Sequence, residues 1–237
     1  MNELGPTLKD PVLPGTAESD YERYLRTEEL LSLQKTSAEW VHRDELLFQT
    51  VHQSSELWLK LAVEEVSEAT RQIEADDRGG AIRNLRRAVD CLKIVTGNLD
   101  MLEHLAPWEY MTVRTVLGHG SGFDSPGFRG VHQVMKPLLH AFQAAVERDG
   151  LTPTDLYRHG REHEDLYQLA ELLIEWDERV VTWRARHFIV VERIIGYDVI
   201  GTQGTPVEVL GKLIHSRAFP ELWQLRNELT AIAFPPQ

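Results

Sequence analysis

One cysteine, Cys91, stands among 237 residues. An intrachain disulfide is excluded, and so is any zinc or iron–sulfur site that needs several thiolates. A lone thiol fits a reducing compartment, so a cytoplasmic location is expected. Basic residues are also scarce: 25 Lys and Arg stand against 37 Asp and Glu, a formal charge of −12. A general nucleic-acid binder needs clustered cations to displace counterions from phosphate, so that class is excluded, though a local basic pocket for a small anion is not. No apolar run approaches the ~20 residues that cross a bilayer, so no membrane partner is expected. The opening MNELGPTLKDPVLPGTAESD lacks the basic start and apolar core of a secretory leader. Residues 1–19 are expected to be an unordered N-terminal segment. Strand-like alternation of apolar and polar residues is missing too, as is any internal repeat.

What is present is helix after helix. Asp20 is placed to cap a helix carrying Tyr21, Tyr24, Leu25, Leu30, Leu31 and Leu33 at three- and four-residue steps. A second apolar period runs from Asp44 to about Ile73, long enough to cross a whole domain. Gly79-Gly80 is expected to break the pattern before a third helix, Ile82 to Leu102. The richest loop is Gly118 to Gly127, where glycines let backbone amides approach a ligand closely. A fourth helix is expected from Phe128 to Glu147, bent at Pro137. Asp149-Gly150 and Pro153 mark a break, and a long helix follows from Arg161 to Ile195. The turn Gly201 to Pro206 and two short helices, 207–215 and 219–231, close the chain. The expected fold is all-α: an antiparallel helical bundle with satellite helices, with residues 20–237 as a single domain.

Several side chains suggest chemistry, each with an ordinary alternative. His187 lies late in a long apolar stretch, between Arg184, Arg186 and Arg193. One imidazole nitrogen there can ligate iron while the other meets an acceptor, and the arginines suit carboxylates such as porphyrin propionates. The pattern also serves a histidine packed in a helical core. Phe48 and His52 are four apart and share a helix face, so a ring beside an imidazole can line a pocket for a flat ligand. His52 and Glu56 share a face as well, which admits a non-haem metal pair, but a helical di-metal site needs Glu-x-x-His on two helices and none is found. His159 and His163 have zinc-protease spacing without the glutamate directly after the first histidine, so that segment reads as a solvated helix start. Tyr110 and Arg114 point the same way if helical. A buried arginine must find an anion, which is a structural Asp or Glu or a substrate carboxylate. The glycine loops do not match a phosphate-binding motif, and there is no nucleophile elbow.

In order along the chain come Tyr21-Glu22-Arg23-Tyr24-Leu25, Asp44-Glu45-Leu46-Leu47-Phe48, and His52-Gln53-Ser54-Ser55-Glu56-Leu57-Trp58-Leu59-Lys60. Tyr110 with Arg114 follows, then Ser121-Gly122-Phe123-Asp124-Ser125 with Phe128-Arg129. Arg186-His187, Arg193-Ile194-Ile195-Gly196 and Gly201-Thr202 complete the series. Together, from Tyr21 to Arg226, these segments resemble the tryptophan 2,3-dioxygenase family of haem-dependent aromatic oxygenases. The resemblance implies a mainly helical protein, usually a homotetramer, that binds haem (iron protoporphyrin IX), L-tryptophan and O2. It makes His187 the proximal iron ligand and His52 the distal histidine that meets the indole N–H. Phe48 packs on the aromatic ring, and Arg114 with Tyr110 holds the substrate carboxylate. Ser121 lies in the loop over the haem, and Thr202 helps fix the substrate ammonium. Tyr21, Tyr24 and Leu25 reach into a neighbouring subunit's pocket. The implied product is N-formylkynurenine.

The chain also departs from the family. The usual Ser-Gly-Phe-Gln-Ser-x-Gln-Phe-Arg segment stands here as Ser121 to Arg129 with neither glutamine, and His119 adds an imidazole beside it. The glycine- and serine-rich flap becomes Gly201-Thr202-Gln203-Gly204-Thr205-Pro206-Val207, one residue further from His187 than usual. These changes bear on flap closure and substrate choice. The alternatives they raise are mono-oxygenation of a tryptophan derivative, such as a methylated tryptophan, and a haem- or indole-binding sensor without turnover.

Overall fold

The computed structural model describes residues 11–235, which contain no strand and one isolated bridge, Ile200 to Pro206. Helix α1 (Asp20–Leu25) begins at a capping box. The Ser19 hydroxyl accepts from the Glu22 amide and the Glu22 carboxylate accepts from the Ser19 amide. Asp20 is therefore not the cap; its carboxylate accepts from the Val12 and Leu13 amides instead. The single helix expected over 20–33 is split. Arg26 adopts a left-handed conformation (φ 54°), ends α1 with a bond from its amide to the Glu22 carbonyl, and starts α2 (Thr27–Leu31). Of the segment expected to be unordered, residues 1–10 lie outside the described residues. Residues 11–19 have no regular structure and are tied to α1 by Asp20 and by Arg23, which donates to the Leu13 and Ala17 carbonyls.

Helix α3 (Asp44–Glu74) runs 31 residues, about 46 Å at 1.5 Å per residue. The break before α4 (Arg78–Leu102) falls at Ala75–Asp77, ahead of the two glycines rather than at them. Asp77 caps α4 by accepting from the Gly80 amide at 2.9 Å. A Cβ at position 80 would stand 2.2 Å from that carboxylate, so glycine here serves the cap and not a break. Helix α5 (Pro107–Arg114) has proline in its first turn, where no amide partner is needed. A 3-10 turn, Gly122–Asp124, precedes α6 (Pro126–Arg148), which carries Pro137 within it. Pro153 starts a helix that the sequence reading treats only as a break: α7 (Pro153–Arg158), with a Thr152–Asp155 capping box. Helices α8 (Glu164–Ile195), α9 (Glu208–Leu213) and α10 (Pro220–Ala233) follow.

Apolar positions at helical spacing meet in one main core. Leu59, Ala62, Val66, Ala69 and Ile73 of α3 pack with Leu85, Val89 and Leu92 of α4 and with Leu138 and Phe142 of α6. Leu166, Leu169, Leu173 and Trp176 of α8 close the cluster. α3 lies along both α4 and α6, and α4 lies along α8, so these four helices form a bundle to which the shorter helices are satellites, within the all-α fold expected. A smaller cluster of Val51, Leu99, Leu102, Leu105, Val190 and Ile194 fills the other end. Phe48 and Tyr110 pack against it.

Two polar contacts fasten the periphery. Asp177 is fully buried in α8 and accepts from the Ala218 amide at 3.0 Å, the Phe219 amide at 3.3 Å and Trp223 Nε1 at 2.9 Å, which docks α10. Arg78, at the start of α4, makes a bidentate pair with Asp149, which caps α6, at 2.8 and 2.6 Å. The Arg78 hydrogen bond holds the Asp149 carboxyl below its ordinary range. A depressed carboxyl pKa adds stability above the unfolded-state value and loses it as pH falls through the folded one. Asp149→Asn is expected to cost about 1 kcal/mol at pH 7, with both groups partly exposed. Denaturant titrations should show the gap shrinking below about pH 3.9; a gap that persists in acid would place its cause elsewhere.

Candidate active site

Between the smaller cluster and the loops above it lies a cavity of about 830 Å³, a size that accommodates a cofactor together with a small ligand. Phe48, His52 and Glu56 enter it from α3, Tyr110 and Arg114 from α5, and Trp183, Arg184 and His187 from α8. Phe48, His52 and Glu56, Tyr110 and Arg114, and Trp183 and His187 recur at four-residue steps, with Arg184 three before His187, so each helix turns one side to the same space. Segments 120–125 and 201–206 add to the wall, together with Phe128, Arg129 and His132 of α6 and aliphatic residues such as Val180, Val190 and Leu210.

His52 Nδ1 lies 2.7 Å from the Phe48 carbonyl oxygen. A carbonyl only accepts, so Nδ1 carries the proton and Nε2 keeps its lone pair. The ring is reached by solvent through the cavity yet sits deep among protein atoms, and this desolvation lowers its pKa and favours the neutral form. The Phe48 ring lies 4.1 Å from His52 and 6.0 Å from Tyr110, which forms a three-ring wall. Burial pushes the Tyr110 phenol up, so it stays protonated.

His187 stacks on Trp183 one turn back, with ring centroids 4.8 Å apart and planes at 11°. Burial, with a smaller contribution from His52, pushes its pKa down to about 4. A neutral imidazole is the form that binds a metal ion. Phe128 supports Trp183 with centroids 3.7 Å apart.

The cations divide between two tasks. Arg186, which sequence position groups with His187, turns to Asp100 at 2.8 Å and to Glu103, and Arg193 also reaches Glu103. Arg184 faces the cavity. Its Nη1 donates to the Leu213 and Ser216 carbonyls, Nη2 lies 3.5 Å from His132 Nε2, and it has no carboxylate partner among the described residues. Arg114 Nη2 donates to the Ile200 carbonyl at 2.9 Å, leaving four guanidinium donors.

The loops are tied down by side chains. Ser121 lines the cavity and caps the 3-10 turn, its hydroxyl accepting from Phe123. Thr202 Oγ1 donates to the Gly120 carbonyl at 2.5 Å. Both Glu56 oxygens are used. Oε1 accepts from Ser125 Oγ at 2.5 Å and Oε2 from the Gly127 amide at 2.9 Å. Glu56 therefore anchors the loop to α3 and is not half of a metal pair with His52. Gly127 permits the close approach: a Cβ there would lie 2.6 Å from Leu59 Cβ. Among the described residues, no three His, Cys, Asp or Glu side chains are grouped to hold a metal ion.

A family model described as Tryptophan 2,3-dioxygenase matches residues 12–137, more than half of the chain. The chain belongs to that family. A tryptophan 2,3-dioxygenase of Caulobacter vibrioides is 35% identical over 260 residues, covering 88% of this chain and 98% of the relative. Proteins of the same name from Myxococcus xanthus and Bacillus anthracis are 31% and 32% identical, covering 95% and 88% of this chain.

Of the residues assigned through the family resemblance, Phe48, His52, Tyr110, Arg114, Ser121, His187 and Thr202 all line this one cavity. Tyr21, Tyr24 and Leu25 do not; they lie exposed on α1. Neither His159 nor His163 takes part. Sequence reasoning missed Trp183, Phe128, Arg129 and His132 as cavity residues. Trp183 stands four before His187, so helical spacing from that histidine is a signal for Trp183; Phe128, Arg129 and His132 carry no such local signal.

Proposed function

We propose that this member of the tryptophan 2,3-dioxygenase family is a haem-dependent enzyme that adds both atoms of O2 across the indole C2–C3 bond of L-tryptophan to give N-formylkynurenine. The observation that carries this reading is the pair of neutral imidazoles, His187 and His52, lining one cavity of about 830 Å³. Relatives named as dioxygenases favour ring opening over mono-oxygenation of a tryptophan derivative.

The donor set fits haem. His187 offers a lone pair, and Val180, Val190, Val191, Ile194, Leu210 and Leu213 offer apolar surface to a flat macrocycle. Arg184, a cavity-facing guanidinium with no carboxylate partner among the described residues, suits a porphyrin carboxylate, and Arg129 and His132 lie on the same wall. Haem, when bound, supplies the iron that binds and activates O2.

The remaining work is done by the chain. Arg114 holds the substrate carboxylate through its free donors, and the protonated Tyr110 phenol adds one more. Thr202 accepts from the ammonium. His52 Nε2, with its lone pair, accepts the indole N–H and so turns the ring to present C2 and C3. Phe48 packs on the ring face. Loop 120–125, with Ser121, closes one side and keeps water from the reacting centre.

Exposed Tyr21, Tyr24 and Leu25 on α1 support burial against a second copy, and a homotetramer in which they reach a neighbour's pocket is the assembly we propose. No helix among the described residues is long and apolar enough to cross a membrane. The location we propose is the cytoplasm.

The reading is tested by loading the protein with haem, reducing it and adding L-tryptophan. One haem per chain and tryptophan-dependent O2 consumption are expected. Haem uptake without O2 consumption would leave only a sensor. Arg114→Leu is expected to raise the KM for tryptophan about a hundredfold while haem content stays at the parent level. Equal loss of haem and substrate binding would make Arg114 a structural residue.

A further inference from the structure

The cavity's roof is made of two segments far apart in sequence, 118–125 and 200–206, and no residue of either is buried. Apolar packing therefore does not hold them together. Three polar contacts join 200–203 to the region 114–124. Arg114 Nη2 donates to the Ile200 carbonyl at 2.9 Å, Thr202 Oγ1 donates to the Gly120 carbonyl at 2.5 Å, and Gln203 Nε2 donates to Asp124 Oδ2 at 2.7 Å. Arg114 and Thr202 have a second task, because the proposed reaction has them bind the carboxylate and ammonium of the substrate. Gln203 has none. Its amide reaches over the gap, and its acceptor is fixed in advance. Asp124 Oδ2 already accepts from the Ser121 amide at 3.1 Å as half of a capping box, and Arg129 Nη2 donates to the Asp124 carbonyl at 2.9 Å.

We propose that Gln203 and Asp124 are a positioning pair that holds segment 200–206 over the cavity and sets how long a bound amino acid stays there. The proposal rests on the cavity being the tryptophan site. Arg114 and Thr202 share their bonds across the gap with a substrate role, whereas the Gln203–Asp124 bond is a side-chain link between the two segments with no other task. The pair acts through Thr202, which its neighbour Gln203 keeps against Gly120. Gly204, at φ +75°, supplies the turn that brings Gln203 round to face Asp124.

Two measurements test this in the full chain. Amide hydrogen exchange of residues 200–206 is read without haem or tryptophan, and tryptophan dissociation is read by stopped flow from haem-loaded protein. Gln203→Ala is expected to speed both by about three- to tenfold with haem content unchanged. Gln203→Glu sets carboxylate against carboxylate and should exceed it. Asp124→Ala, which also removes the acceptor of the Ser121 amide, should be at least as fast as Gln203→Ala, and the double variant should be no faster than Asp124→Ala, because the bond between the two side chains is already lost in either single. Unchanged exchange and dissociation in Gln203→Ala, or single effects that simply add, would overturn the pair. If the parent binds no tryptophan, the proposed function fails, and the exchange comparison still decides whether Gln203 and Asp124 hold the segment.

Discussion

His187→Ala is expected to yield a folded helical protein that retains haem at least about a hundredfold less tightly than the parent and turns over no tryptophan. His187 is held neutral by burial, stacked on Trp183 and open to the cavity, where Val180, Val190, Val191 and Ile194 offer aliphatic surface. Removing its ring deletes the lone pair at position 187 but few packing contacts of the main core, which does not include it. The loss should therefore register in the Soret band and in haem content, with far-ultraviolet circular dichroism unchanged. His187→Gly with added imidazole should recover part of the absorbance. If His187→Ala kept the ferrous and ferric spectra of the parent, the axial assignment would be wrong.

The largest stability effect is expected far from that ring. Asp177→Ala removes the acceptor for the Ala218 and Phe219 amides and for Trp223 Nε1, at a site with no solvent access. Buried donors left without partners cost about 3–5 kcal/mol in such networks. That is a large share of the 5–15 kcal/mol that typically separates folded from unfolded chains. For a chain of this size the melting temperature should fall by about 10 °C. Asp177→Asn, which keeps one acceptor oxygen, should fall less. Since α10 docks through this carboxylate and Arg184 grips the Leu213 and Ser216 carbonyls just before α10, the variant should also load haem less completely. A melting temperature within a degree of the parent would show that Asp177 does not hold α10.

Legibility differed by residue for physical reasons. The four bundle helices were readable because burial repeats with the helix period: Val66, Ala69 and Ile73 of α3 and Leu166, Leu169 and Leu173 of α8 fall where periodicity puts them. Breaks were less readable because glycine and proline have more than one use. Gly80 serves the Asp77 cap and Pro153 starts α7, while the residue that splits the first helix is Arg26, a type that rarely adopts positive φ. Pattern alone left His52 and His187 between cofactor chemistry and core packing. The cavity brings them together through residues more than a hundred positions apart, a juxtaposition that no local spacing encodes. Asp177 was invisible because its three donors come from α10 and the residues before it. Asp124 and Gln203 were noticed only as departures from the family segments; their bond to each other exists only in the folded chain.

The central claim is that this cavity holds haem on His187 and delivers tryptophan to it with the indole N–H on His52. Its most direct test is the mass of the product formed when reduced, haem-loaded protein meets L-tryptophan under isotopically labelled O2. The account predicts N-formylkynurenine carrying both labelled atoms. A product with one labelled atom, or tryptophan recovered unchanged from fully loaded protein, would contradict it.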